Sequence, residues 1–126
     1  MKRVFIACAL IAIVCVICSI GSWYLQNTYK VIDGMLDEVL KYYEQDDMQK
    51  AAEAAVDLEK EWVKRERYLS FFIDHQKVDE IGISITRLQT LALSKDYSDL
   101  LTECKLAKIM LLHVVNDEKV SIQSVL

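Results

Sequence analysis

Apolar residues form one unbroken run near the N-terminus and then thin into helical seams separated by short polar breaks. No residue from Val4 to Leu25 is charged, and at about 1.5 Å per residue such a helix is roughly 33 Å long, against a hydrocarbon core of about 30 Å. Beyond that run, Leu25, Tyr29, Ile32, Leu36, Val39 and Tyr43 alternate spacings of four and three, which predicts a helix that continues the span.

Each later seam starts at an acidic residue suited to cap a helix. Asp46 and Asp47 precede a face of Met48, Ala51, Ala55, Leu58 and Trp62, with Glu61 placed four residues before Arg65. The pattern breaks between Ser70 and Asp74, and Asp74 then caps a face of Val78, Ile81, Ile85, Leu88 and Ala92. Asp96 is read as the cap of a fourth helix that buries Tyr97, Leu100, Cys104, Ala107, Leu111 and Val114. Ser121, Ile122, Val125 and Leu126 are read as a short capped turn folded back on the bundle. Asp47, Met48, Ala51 and Ala55 correspond at a constant offset to Asp96, Tyr97, Leu100 and Cys104, a likeness that fits a duplicated hairpin or merely two amphipathic helices with Asp caps. Gly82 interrupts the third apolar face at a cost of about 1 kcal/mol relative to alanine. Either a large neighbour such as Trp62 packs on its bare backbone or the position tolerates glycine.

The expected fold is all-α: a transmembrane helix over residues 1–25, then an antiparallel bundle of about four helices over residues 26–126. Composition agrees, since proline is absent and only three glycines punctuate the 126 residues. Lys2 and Arg3 before the span favour a cytoplasmic N-terminus, and Trp23 and Tyr24 suit the opposite headgroup region. The expected location is therefore the cell membrane, single-pass, with the C-terminal domain extracytoplasmic. A signal peptide over residues 1–21, cut before Ser22, is the alternative, with Ser19 and Gly21 as its small residues. The length of the run favours a retained anchor. Cys8, Ala12, Cys15, Ser19 and Ser22 put small residues on one stripe of the span, either as background composition or as a face for another membrane helix.

Charge narrows the function classes. Lys2 and Arg3 are two of the 15 basic residues and all 19 acidic residues follow the span, so the outer domain carries −6. A nucleic-acid partner, which needs a basic face, is not expected. Lys60, Lys64, Arg65 and Arg67 form a basic concentration around Trp62, read as a solvated face balanced by Glu59, Glu61 and Glu66, or else as a contact for an acidic polymer, lipid headgroups or an acidic partner. Cys104 is the lone thiol outside the span, which leaves no intradomain disulfide, and His75 and His113 lie far apart in sequence. No metal ligand set, cofactor motif or catalytic constellation is expected.

The cluster with most chemical content is Trp62, Phe71, Phe72, Asp74, His75 and Asp79. His75 and Asp79 are four apart on one helical face, which suits a metal, pH-sensing or acid/base role. The structural reading is stronger: Asp74 caps the helix, His75 pairs with Asp79 and the aromatics close a corner of the bundle.

The Glu61, Trp62 pair, the run Phe71, Phe72, Ile73, Asp74, His75, then Asp79, Ile81, Arg87 and Leu88, and the closing Glu118, Lys119, Val120, Ser121, Ile122 resemble the bacterial domain-of-unknown-function family 4363. With the apolar N-terminus the resemblance spans nearly the whole chain. It implies a short single-pass membrane protein with a helical outer domain, and an accessory role beside a multi-pass membrane protein. The expected function is a noncatalytic interaction module that touches lipid through its N-terminal helix and binds itself or a membrane partner. The alternative is an extracytoplasmic domain that senses a ligand or peptide.

Overall fold

A computed structural model describes residues 1–125, with side-chain surroundings described for residues 1–117. Four helices follow in order: α1 Lys2–Glu44, α2 Met48–Leu69, α3 His75–Leu93 and α4 Leu100–Val125. No strand occurs among the described residues. Each helix runs antiparallel to its neighbours, with α1 packing on α2 and α4, and α3 packing on the same two, so the bundle closes into a ring.

α1 is one continuous helix with two environments. The most apolar 18-residue window of α1 is long and apolar enough to cross a membrane and is only 6% buried, unlike the core helix of a soluble protein. Burial starts at Gly21 and recurs at Leu25, Thr28, Ile32, Leu36 and Val39, which form one stripe facing α2 and α4. The predicted seam is therefore the bundle stripe, with Tyr29 and Tyr43 at its half-buried edges and Thr28 added.

Two chain reversals have the same backbone construction. At the end of α1, Asp46 adopts φ 62°, its N–H donates to Tyr43 O at 3.1 Å and the Asp47 N–H donates to Tyr42 O at 2.9 Å. At the end of α3, Lys95 adopts φ 63°, its N–H donates to Ala92 O at 3.4 Å and the Asp96 N–H donates to Leu91 O at 3.0 Å. Both are Schellman closures, which satisfy the last helical carbonyls through a left-handed residue. Asp46 with Lys95 and Asp47 with Asp96 stand 49 positions apart, the offset of the sequence likeness. The same offset relates buried Ile32, Leu36 and Val39 of α1 to Ile81, Ile85 and Leu88 of α3. It also relates Ala51, Ala55, Leu58 and Trp62 of α2 to Leu100, Cys104, Ala107 and Leu111 of α4. The bundle is thus two similar hairpins packed together.

The caps of α2 and α3 follow expectation. The Asp47 carboxylate accepts from the Lys50 N–H at 3.3 Å, and that of Asp74 accepts from the Gln76 N–H at 3.1 Å. The cap expected at Asp96 does not form. Asp96 is held in the Schellman closure of α3 and its carboxylate accepts from Ser98 Oγ at 2.8 Å. α4 starts at Leu100, where the Glu103 N–H donates to Asp99 O at 3.0 Å, so Tyr97 is only half-buried beside the loop. Nor does a separate turn begin at Ser121, since α4 runs to Val125. The side chains of Ser121, Ile122 and Val125, and all of Leu126, lie outside the described residues.

The core holds the expected α3 and α4 faces complete from Val78 to Ala92 and from Leu100 to Val114. Burial of each large side chain contributes about 1.5–3 kcal/mol. Polar clips tie the helix pairs: Ser84 Oγ donates to Glu103 Oε1 at 2.9 Å, and Lys77 meets Asp117 at 3.0 Å between α3 and α4. Lys108 of α4 sits between Asp33, at 3.5 Å, and Asp37 of α1. Burial alone would lower the pKa of that ammonium, but the two carboxylates outweigh it and hold the pKa above its ordinary value.

Candidate functional site

The residues singled out in the sequence separate into two places. Trp62 belongs to the core. It is 2% exposed and its indole lies on Gly82 of α3, where a Cβ would stand 3.0 Å from Nε1. Of the two readings of Gly82, the close approach of Trp62 is the one found. The Trp62 Nε1 is buried without a hydrogen-bond acceptor among the described residues, consistent with a ring held by packing.

Phe71, Phe72, Asp74 and His75 lie at the other place, the α2–α3 turn. Leu69 and Ile73 fill the inward side of this turn, and the N–H groups of Phe72 and Ile73 both donate to Leu69 O at 2.9 Å. Phe72 reaches across to α1, where a Cβ on Gly21 would come within 2.5 Å of its ring. A side chain at Gly21 would have to push the Phe72 ring aside, so the contact favours glycine there. Phe71 points outward at 79% exposure. The aromatics therefore close the corner only through Phe72.

Asp74 caps α3, and His75 and Asp79 are both exposed. No hydrogen bond or ion pair joins His75 to Asp79, so the expected pairing is absent. At the first helical turn the Asp74 carboxylate is already engaged by the backbone and both later side chains extend into solvent. No group of three His, Cys, Asp or Glu with metal-binding geometry occurs among the described residues.

One element of this end was not expected. Arg65, read as part of a solvated basic face, lies between α1 and α2. Its Nε donates to Glu61 Oε1 at 2.8 Å, and its Nη1 donates to Thr28 Oγ1 at 3.1 Å. The guanidinium carbon stands 5.8 Å from the centre of the Tyr24 ring, and Tyr24 meets Tyr68 edge-on at 6.0 Å. The Glu61 to Arg65 spacing was legible, but the partner on α1 was not. Its signal was Thr28, a hydroxyl on an otherwise apolar stripe. Lys60, Lys64 and Arg67 remain exposed as expected.

The Gly21 end of the bundle is thus an aromatic and basic collar around α1 at the point where its exposed apolar half begins. Trp23, 67% exposed, belongs to it. At the opposite end, Met48, Ala52, Val56, Leu93 and Tyr97 line an open groove of about 640 Å³, edged by Glu53, Asp57 and Lys95. Cys104 lies in the core, its Sγ 3.5 Å from Leu36 O, with burial pushing the thiol pKa up to about 12.

No curated protein and no solved structure matches the chain. The family model described as a domain of unknown function, DUF4363, matches residues 19–125.

Proposed function

The chain belongs to the DUF4363 family over residues 19–125, and from that premise we propose that it is a membrane-anchored, noncatalytic helical interaction module. Its anchor is the N-terminal half of α1, its outer domain stands on the extracytoplasmic side, and it acts by binding a second copy or a multi-pass membrane protein as an accessory subunit. The observation that carries this reading is the continuity of α1. The same helix is exposed and apolar from Val4 to Ile20 and is a wall of the core from Gly21 onward. A domain built around its own anchor is fixed in place beside membrane neighbours, which raises its effective concentration for them.

Cross-linking in intact membranes followed by pull-down tests the proposal. A stoichiometric membrane-protein partner or a cross-linked dimer is expected. A chain recovered only as an uncross-linked monomer contradicts it. A reporter fused after Leu126 should be active only outside the cytoplasm, and cytoplasmic activity reverses the topology.

The groove between α2 and the end of α3 favours a second reading, an outer domain that senses a ligand or peptide. Its apolar floor and its edge of Glu53, Asp57 and Lys95 suit an apolar segment flanked by charged groups. In that case Ala52→Arg, which fills the groove, would abolish ligand response while leaving the cross-linked partner in place.

A further inference from the structure

The α2–α3 turn presents an aromatic side chain to the outside, with none of the described residues covering it. Its height along α1 is fixed by two contacts: Phe72 lies on Gly21, and Tyr68 lies on Tyr24. The exposed uncharged helix below that level, from Val4 to Ile20, is about 26 Å long at about 1.5 Å per residue, with Lys2 and Arg3 beyond it, so it nearly spans a hydrocarbon core of about 30 Å. The turn therefore stands at the level where α1 would leave the acyl chains. At that same level Phe71 is 79% exposed, and Trp23 and Tyr68 are exposed as well.

We propose that the α2–α3 turn is a second membrane contact, with Phe71 seated in the boundary between headgroups and acyl chains of the leaflet from which α1 emerges. Tyr68 and Trp23 share that layer. The polar-edged rings of Tyr68 and Trp23 partition to this depth, the hydrocarbon ring of Phe71 gains from burial at the acyl boundary, and a short segment on a rigid scaffold pays little ordering entropy to enter it. Net charge does not drive the contact, because the exposed charges flanking the turn, Arg67 before it and Asp74 and Asp79 after it, are of both signs. A zwitterionic surface is sufficient. The consequence is a two-point attachment, since the helix carries the bundle and the turn stops it from tilting.

This inference rests on reading α1 as a retained anchor, and one experiment separates the two. The full chain is reconstituted into phosphatidylcholine vesicles whose acyl chains carry bromine either near the headgroup or near the methyl end. In the unsubstituted chain, Trp23 reports on the anchor. The Trp23→Phe chain is then compared with a Trp23→Phe, Phe71→Trp chain, in which Trp62 contributes equally to both and subtracts out. The introduced indole is expected to emit at short wavelength and to be quenched several-fold more by shallow bromine than by deep bromine. Emission typical of water with no quenching, while Trp23 is quenched, overturns the turn contact and leaves the anchor standing. Loss of quenching at Trp23 itself overturns both. Short-wavelength emission that resists bromine and grows with the protein-to-lipid ratio identifies a second copy on the turn and overturns the lipid assignment.

Discussion

Gly82 of α3 and Trp62 of α2 are complementary: the glycine leaves a space that the edge of the indole fills, with Nε1 3.0 Å from where a Cβ would stand. Trp62 is almost fully buried, so its ring cannot swing out toward solvent to make room. Gly82→Ala should therefore not deliver the gain of about 1 kcal/mol that alanine normally brings to a helix. Its stability should stay level or fall by up to about 1 kcal/mol, whereas Trp62→Ala should cost about 3–5 kcal/mol. In a Trp62→Phe background the crowding disappears, and Gly82→Ala should then stabilise. Denaturant melts of the four chains form a double-mutant cycle. Equal gains from Gly82→Ala in both backgrounds would show that the two residues are not coupled.

The thiol of Cys104 is a buried apolar group in the folded chain, and alkaline stability should reveal it. Burial raises its pKa from the ordinary 9.0 to about 12, so the folded state keeps the proton after the unfolded state has released it. The contribution is complete below pH 9.0 and is lost as the pH rises toward about 12. In that window stability should decline by up to about 1 kcal/mol per pH unit from this group. Cys104→Ala should lower stability at neutral pH but flatten the alkaline slope. An unchanged slope in the variant would assign the alkaline loss to other groups. Alkylating reagents should leave Cys104 untouched until the chain unfolds.

Lys95 holds a left-handed conformation that costs a side-chain-bearing residue about 1–2 kcal/mol. Lys95→Gly keeps the Schellman bonds and removes that cost, offset in part by the greater freedom of glycine in the unfolded chain. A net gain of about 0.5–1 kcal/mol is expected in thermal melts of the detergent-solubilised chain. A fall in melting temperature would mean that the Lys95 side chain contributes a contact worth more than the strain.

The helical period made most of the fold legible. Val78, Ile81, Ile85, Leu88 and Ala92 were identifiable as one buried face because a 3.6-residue repeat admits few other arrangements, and the Asp47 and Asp74 caps followed from residue type. Asp96 misled because its surroundings match those of Asp47, which also follows a left-handed closure and does cap a helix. What separates the two is the later start of α4 at Leu100, with Ser98 taking the Asp96 carboxylate, and no local residue type announces that longer connection. Arg65 misled for a different reason. Its neighbours in sequence are charged, so the local pattern marks a solvated face, and only Thr28, 37 positions away, explains its burial. The aromatic turn was visible as a cluster, but the level at which it meets α1 depends on the packing of Phe72 on Gly21. Local periodicity carries no information about that contact.

The continuity of α1 also makes it a drive shaft. No turn lies between its exposed half and its core half, so the azimuth of the bundle is locked to the phase of the helix. One residue inserted between Ile20 and Gly21 advances that phase by about 100° while lifting the bundle only about 1.5 Å. The core, which starts at Gly21, should survive intact, yet a different face should be turned toward whatever stands alongside. Site-specific cross-linking from exposed Lys30 and Glu38 should then change partners or fall silent after one insertion. It should recover in large part after four insertions, which bring the phase back to within about 40°. An unchanged cross-linking pattern after one insertion would mean that the shaft slips, and rotation of the anchor could then carry no torque to the bundle.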